Sequence, residues 1–172
     1  MSITFDFMSD IHVEWWDEPY DYAAHKTAEI ALVGGDLATD PQLALVELAK
    51  ISALYERVLF VDGNHEFRTG KVGNYAYDFD FDGVEQTLRE GIAQLPNVSY
   101  LRDGPVIIDD IAFVGRNGHW DYKLFPQSPY KESVTAASKA LQASFNEVAR
   151  FSRIAQRDAL ELQREIAQLS AD

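Results

Sequence analysis

Three apolar segments of this chain, each rich in residues that favour β-strands, lead into short segments of polar residues and glycine. Short apolar runs bounded in this way are typical of buried strands. The order of the three strand-to-loop pairs constrains the fold more than any one of them does. The pairs are residues 3–7 before Asp10-Ile11-His12, residues 30–33 before Gly34-Gly35-Asp36, and residues 58–61 before Gly63-Asn64-His65-Glu66.

The segment between the second and third predicted strands has the features of a helix. Asp40 can accept hydrogen bonds from the first helical amides, and Pro41 suits the first helical position. Apolar residues then recur at helical spacing as far as about Tyr55. A strand, a helix and a second strand in this order form a βαβ unit, whose strands are parallel. The sequence therefore predicts an α/β fold with a buried parallel sheet.

The segments that follow the predicted strands carry side chains of the kind that bind divalent metal ions. Loops at the carboxyl edge of a parallel sheet lie side by side, so we expect these side chains to lie close together. Oxygen ligands with an imidazole suit Mn²⁺, Fe²⁺ or Zn²⁺, and a carboxylate can bridge two ions. The chain has no cysteine, which excludes thiolate ligands and disulfides. The candidate site residues are Asp10, His12, Asp36, Asn64 and His65.

Each of the three segments also has a simpler explanation when it is taken alone. Asp10 and His12 could be a turn beside a surface histidine, and Asp36 could be a turn residue on the way to a helix. Asn64 and His65 could likewise form a turn with asparagine in a left-handed conformation. The combination of all three segments, each at the end of a strand, favours a metal site over three unrelated turns.

In this order, the segments D-x-H, G-D and G-N-H-E resemble the motifs of the calcineurin-like metallophosphoesterase superfamily. The resemblance implies a layered α/β/β/α sandwich and a phosphoester hydrolase that uses two divalent ions and a metal-bound hydroxide. It further implies that Asp10 and His12 hold the first ion, that Asp36 bridges both ions, and that Asn64 holds the second. Asn64 and His65 would contact the substrate, with His65 as the catalytic group that assists departure of the leaving oxygen.

The second half of the family's usual set of motifs is missing from this sequence. Members usually continue with further histidine segments, including G-H-x-H, whereas this chain has four histidines and no H-x-H. We therefore expect residues 1–172 to form a single domain of this kind, incomplete at its C-terminus. Each ion would have at most about three protein ligands, so we expect weak metal binding and little turnover from this chain alone. The alternative is a non-catalytic interaction module with a partial metal site.

Several other residues are weaker candidates for the site. Arg116 and Arg68 could contact phosphate through their charge, and His119 could lie at the edge of a pocket. His25 is expected at the surface.

The residue that orients His65 is also open at this point. Some relatives orient the equivalent histidine with an aspartate at the position of Thr39 in this chain. Asp40 is one residue further on, and its role as a helix cap explains it adequately.

A rival metal motif lies further along the chain, where residues 78–83 match the first half of an EF-hand calcium loop. The twelfth position of such a loop should be a glutamate and is Arg89 here, which disfavours calcium binding.

The rest of the chain is predicted to form two helices and three short strands. The first helix covers residues 82–95, with Asp82 and Glu85 in the spacing of a capping box. Helical spacing of apolar residues resumes at residue 132 and continues towards the C-terminus, with a break near residues 151–154. The strands are residues 98–101, 106–108 and 111–115, of which the last two form a hairpin at Asp109-Asp110.

The net charge of −13 disfavours general nucleic-acid binding, because it repels a phosphate backbone. A small phosphoester remains the expected substrate. No stretch approaches the roughly 18 apolar residues of a membrane-spanning helix, and the N-terminus has no signal-peptide pattern. We therefore expect a cytoplasmic protein without membrane contact. An exposed sheet edge would favour self-association.

Overall fold

The computed structural model describes residues 2–67, 81–118 and 142–171. The chain divides into two compact units, one of Met1–Gly70 with Tyr77–Asn117 and one of Lys71–Ala76 with Gly118–Asp172. Within the described residues, no helix is both long and apolar enough to cross a membrane.

The first unit is built on a parallel sheet of four strands, of which the sequence predicts the first three to be parallel. The register aligns Phe7 with Leu32, and Leu32 with Leu59, so these three side chains share one face of the sheet. Each strand pairs with the next one along the chain. The strands are β1 (Asp6–Met8), β2 (Ile30–Val33), β3 (Arg57–Phe60) and β4 (Val98–Tyr100).

The first strand is shorter than the sequence predicts, because it begins at Asp6 and not at residue 3. Asp6 pairs with Ala31, and β2 itself begins at Ile30, so residues 3 and 4 have no neighbouring strand to pair with. Ile3 contributes instead to the apolar cluster on the face of the sheet that carries Leu59.

Helix α1 (Pro41–Ser52) begins where the sequence predicts. The Asp40 carboxylate accepts hydrogen bonds from the amides of Gln42 at 2.8 Å and Leu43 at 3.1 Å. Leu48 and Ile51 of this helix are fully buried, and each contributes about 1.5–3 kcal/mol by leaving water.

Helix α2 (Phe81–Ile92) begins one residue earlier than predicted, so the capping-box prediction is wrong. Asp82 lies inside the first turn and so does not cap the helix, and the Phe81 ring packs 5.0 Å from the Phe67 ring. Glu85 forms an ion pair with Arg89. Arg89 also binds Asp103, while residues 78–80 of the rejected calcium motif lie outside the described part of the chain.

The two helices lie on one face of the sheet and a hairpin covers part of the other. Crossovers between parallel strands are right-handed, and each strand here lies next to the one that precedes it in the chain. The crossover helices α1 and α2 therefore lie on the same face of the sheet, where they contact each other. The hairpin consists of β5 (Val106–Ile108) and β6 (Ile111–Phe113), so β6 ends two residues before the predicted limit. On that face Leu59, Leu101 and Ile108 form a buried cluster.

In the second unit, α3 (Gln142–Leu169) is a single helix. The predicted break near residues 151–154 is wrong. That segment contains neither proline nor glycine, so nothing in it removes a backbone hydrogen bond. Residues 132–141, where the helical pattern begins, lie outside the described residues.

A buried ion pair lies directly after β3. Asp62 and Arg102 are 1% and 4% exposed, and the guanidinium binds both carboxylate oxygens, at 2.9 and 2.8 Å. The Tyr100 hydroxyl donates to the same carboxylate at 2.6 Å, and burial beside Asp62 raises the pKa of this phenol. The pair joins the end of β3 to the end of β4, at the start of the third polar loop.

We predict that Arg102→Met lowers the free energy of unfolding by about 3–5 kcal/mol, because it leaves the Asp62 carboxylate buried without its cation. Urea unfolding checks this value. The matched control is Arg57→Met, which removes an exposed arginine at the start of β3 and should cost less than about 0.5 kcal/mol. Equal losses in both variants would contradict the prediction.

A second carboxylate fastens the edge strand β1 to the turn before β2. Asp6 accepts hydrogen bonds from the Thr27 hydroxyl at 2.5 Å, and from the amides of Thr27 at 2.8 Å and Ala28 at 3.1 Å. The Tyr55 hydroxyl donates to it at 3.0 Å. These bonds, led by that of the Thr27 hydroxyl, lower the pKa of Asp6 from 3.8 to about 2.

We predict that Asp6→Asn destabilises the protein by about 1–2 kcal/mol near neutral pH, because it removes a charged acceptor. A lowered folded-state pKa contributes stability above the unfolded-state value, so the gap between wild type and variant should close as pH falls from about 4 to about 2. Urea unfolding across this range measures the gap. A gap that stays constant would contradict the prediction.

Candidate metal centre

Backbone hydrogen bonds join the loop after β1 to the loop after β2. The amide of Asp10 donates to the carbonyl of Gly35 at 3.1 Å, and the amide of His12 donates to the carbonyl of Asp36 at 3.0 Å. These bonds continue the pairing of β1 and β2 beyond the ends of the strands. The first two motifs therefore lie side by side at the carboxyl edge of the sheet, as the sequence predicts.

Three of the candidate ligands have backbones in the left-handed region. The φ angles are 54° at Asp10, 49° at His12 and 53° at Asp36. This conformation costs a residue with a side chain roughly 1–2 kcal/mol, although aspartate and histidine adopt it more readily than most. Such strain persists only where surrounding contacts hold it, and it clusters at functional sites.

The loop after β3 approaches the loop after β2 so closely that both need glycine. A Cβ atom on Gly35, whose φ is 83°, would lie 2.2 Å from the Gly63 nitrogen. One on Gly63 would lie 2.1 Å from Oδ1 of Asp36. The amide of His65 donates to that same Oδ1 at 2.7 Å. Asp36, the last residue of the second motif, is thus held against the third motif.

Glu66 lies at the junction between the loops after β2 and β3 and is 0% exposed. Its Oε1 accepts the Leu37 amide at 2.7 Å, and its Oε2 accepts the amides of Asp36 at 3.0 Å and Gly63 at 2.8 Å. Burial and the nearby Asp36 charge raise the pKa of Glu66 to about 8, against the opposing effect of the three amides. The sequence motif includes Glu66, but its contacts with two loops could not be inferred from the motif.

The side chains of Asp10, His12 and Asp36 converge, with one ligand atom of each within 4.8 Å of the others. His12 Nε2 and Asp36 Oδ2 are 3.9 Å apart. This distance is shorter than two metal–ligand bonds of roughly 2.0–2.2 Å each, so one ion can contact both atoms. Two carboxylates and an imidazole suit Mn²⁺, Fe²⁺ or Zn²⁺. The residues present therefore fit a divalent metal ion.

Asn64 and His65 lie in the third loop, next to Asp36. Asn64 is partly exposed and lies between Gly63 and His65, both of which approach the Asp36 carboxylate. The His65 ring is 4.3 Å from the His12 ring and nearly perpendicular to it. The structure thus brings the five residues of the sequence-predicted site to one edge of the sheet.

Thr39, and not Asp40, contacts His65. The Thr39 hydroxyl lies 3.2 Å from His65 Nδ1, while the Asp40 carboxylate caps α1.

A third carboxylate, which sequence reasoning missed, lies beside the two histidines. Glu14 accepts hydrogen bonds from the Thr39 hydroxyl and, at 3.3 Å, from His12 Nδ1. Burial opposes its ionisation, but these bonds and one from its own backbone outweigh burial and lower the pKa of the Glu14 carboxyl. The signal in the sequence is the spacing D-x-H-x-E, which places Glu14 two residues after His12.

Of the remaining candidates, two lie among the described residues and two lie outside them. The Arg116 guanidinium donates to the carbonyls of Leu101 at 2.9 Å and Gly115 at 2.8 Å. His25 is exposed and stacks on Tyr20, which confirms its expected place at the surface. His119 and Arg68 lie outside the part of the chain that the structure describes.

Comparison with known proteins agrees with the order of the three motifs and with the parallel sheet. The family model for calcineurin-like phosphoesterases matches residues 3–141, which include all three motifs. A search of curated proteins finds no match to the chain. Because the family match covers most of the sequence, the chain belongs to the calcineurin-like phosphoesterase family.

Proposed function

We propose that this chain carries the metal-binding half of a phosphoester hydrolase site. In this proposal Asp10 and His12 would hold one ion, Asn64 would hold a second, and Asp36 would be a ligand of both. The observation that carries the proposal is the convergence of Asp10, His12 and Asp36 on one point at the carboxyl edge of the sheet. Divalent ions there would neutralise phosphate charge and supply a water whose pKa is lowered to about 7.

The protein side chains have separate tasks in this proposal. Asp36 has one oxygen engaged by the His65 amide and presents the other towards His12, which suits a ligand of fixed orientation. His65 stands next to the metal-binding atoms, and an imidazole can give a proton to a leaving alkoxide near neutral pH. The further ligands that each ion needs would come from water, from other residues or from a second chain.

We predict weak, metal-dependent hydrolysis of aryl phosphomonoesters or diesters in the presence of Mn²⁺, because each ion would have only about three protein ligands. Asp36→Asn should abolish Mn²⁺ stimulation, because it weakens the bridging ligand. His65→Ala should lower kcat by about 10²–10⁴-fold, the usual contribution of general acid–base catalysis. Release of the aryl alcohol measures the rate.

The control is His25→Ala, which removes an exposed histidine that stacks on Tyr20 and belongs to none of the three motifs, and it should leave the rate unchanged. Calorimetric titration with Mn²⁺ separates binding from turnover. Binding without turnover, or turnover that survives both Asp36→Asn and His65→Ala, would contradict the proposed hydrolase.

A second candidate function, an interaction module, is supported by a different observation. Phe5 and Phe7 are 44% and 64% exposed, and Phe7 lies on β1, an edge strand of the four-stranded sheet among the described residues. An edge strand with exposed aromatic side chains favours pairing with another chain. Mn²⁺ binding without hydrolysis, together with self-association, would favour this candidate.

We also predict that metal binding depends on Glu66. In Glu66→Gln, the amide group would place a donor against backbone amides that themselves donate to both carboxylate oxygens. The variant should lose about 1–3 kcal/mol of stability and bind Mn²⁺ about 10–100-fold more weakly. Urea unfolding and calorimetric titration measure the two effects.

The matched control for this variant is Glu47→Gln. Glu47 is also buried, at 3% exposure, but it accepts from Tyr22 and Lys50. Its variant should be destabilised with unchanged Mn²⁺ affinity. Equal Mn²⁺ affinity in Glu66→Gln and wild type would show that the junction does not support the site.

A further inference from the structure

One carboxylate contacts both histidines of the site, directly or through a hydroxyl. Glu14 Oε1 lies 3.3 Å from His12 Nδ1 and accepts a hydrogen bond from the Thr39 hydroxyl, which in turn lies 3.2 Å from His65 Nδ1. The indole of Trp15 donates to the same oxygen at 3.1 Å. Oε2 of Glu14 is buried and has no hydrogen-bond partner among the described residues. The contacts of Glu14 are thus concentrated on the oxygen that faces the histidines.

The positions of the protons in these contacts follow from which of the groups can donate and which can accept a hydrogen bond. An ionised carboxylate can only accept, so the ring nitrogen facing it, Nδ1 of His12, must carry a proton. The Thr39 hydroxyl has a single proton and donates it to Glu14. Its oxygen can then only accept from His65, so Nδ1 of His65 must also carry a proton.

With a proton on Nδ1, each ring carries its lone pair on Nε2. In His12, Nε2 faces Asp36 Oδ2 at 3.9 Å and has its lone pair available for a metal ion. A carboxylate that accepts from the other nitrogen of a metal-binding histidine fixes the ring and raises its basicity. In His65, Nε2 is likewise the ring nitrogen without a proton.

We propose that Glu14 is a positioning residue for both histidines, acting directly on His12 and through the Thr39 hydroxyl on His65, and that it holds both rings in the Nδ1–H tautomer. The catalytic consequence rests on the proposed hydrolase function, but the tautomers themselves do not. Thr39 stands at the position where some relatives carry the orienting aspartate, and Glu14 supplies the carboxylate from the neighbouring loop.

An alternative role for Glu14 is that of a metal ligand together with His12 and His65, since ligand atoms of these three residues lie within 4.8 Å of one another. The hydrogen-bond distance from Glu14 to His12 Nδ1 favours the positioning role, because that nitrogen cannot hold both a proton and an ion. A wild-type His12 ring without a proton on Nδ1 would favour the alternative and overturn the proposal.

Nitrogen-15 NMR of the histidine rings in the metal-free full chain tests the proposal without any activity. At a pH well above the ordinary imidazole pKa of about 6.5, long-range proton–nitrogen correlations report which nitrogen carries the proton. His12 and His65 should both be Nδ1–H in the wild type. The exposed His25 provides a reference ring in the same spectrum.

Three variants separate the direct contact of Glu14 with His12 from its contact with His65 through Thr39. Glu14→Ala should release both rings to a mixture of tautomers, whereas Thr39→Val should release His65 and leave His12 unchanged. Thr39→Ser restores the hydroxyl and should restore the His65 tautomer. Thermal unfolding confirms that each variant is folded. An Nε2–H tautomer at either ring of the wild type, or unchanged rings in Glu14→Ala, would overturn the proposal.

Turnover adds a second measurement and keeps the two proposals distinguishable. If the chain hydrolyses phosphoesters, Glu14→Ala should weaken Mn²⁺ binding by about 10–100-fold, while Thr39→Val should lower kcat by a similar factor at unchanged Mn²⁺ affinity. Loss of kcat in Thr39→Val without recovery in Thr39→Ser would contradict the role of the hydroxyl. Absence of turnover in the wild type would count against the hydrolase and leave the tautomer result decisive for Glu14.

Discussion

The geometry of the site depends on one buried carboxyl group that accepts hydrogen bonds from the backbone amides of two loops. Glu66 is fully buried, yet both of its oxygens accept amides, two from the loop after β2 and one from the loop after β3. A buried carboxyl group without such partners would cost several kcal/mol, so Glu66 favours the arrangement in which both loops supply their amides. The position of Asp36 is then set by the hydrogen bond of its own amide to Glu66.

This junction also explains how strained residues persist at the site. Asp10, His12 and Asp36 have left-handed backbones, and in each of them the strain coincides with an inter-loop hydrogen bond of the same residue. The amides of Asp10 and His12 donate across to the loop after β2, and that of Asp36 donates to Glu66. A net hydrogen bond contributes about 0.5–1.5 kcal/mol, comparable with the cost of one left-handed residue. The loops therefore hold the ligands in place before any ion binds.

The parts of the fold that depend on local chemistry were predictable from the sequence. The limits of β2 and the Asp40 cap of α1 followed from apolar runs and capping rules, which act over a few residues. The start of β1 was not predictable, because it depends on where β2 begins as a neighbour. For the same reason the role of Glu14 could not be predicted, since its partner Thr39 is 25 residues away in sequence and meets it only once β1 and β2 pair.

The place of Thr39 in this chain links the two histidines in a way that a carboxylate at that position would not. An aspartate there could orient His65 alone and leave His12 to a separate partner. A threonine hydroxyl has one proton, and here it donates that proton to Glu14, so its oxygen accepts from His65. The orientation of His65 therefore depends on the same Glu14 oxygen that faces His12. Any change that moves Glu14 would therefore disturb the metal-binding ring and the neighbouring ring together, which makes the loop after β1 a shared support for both.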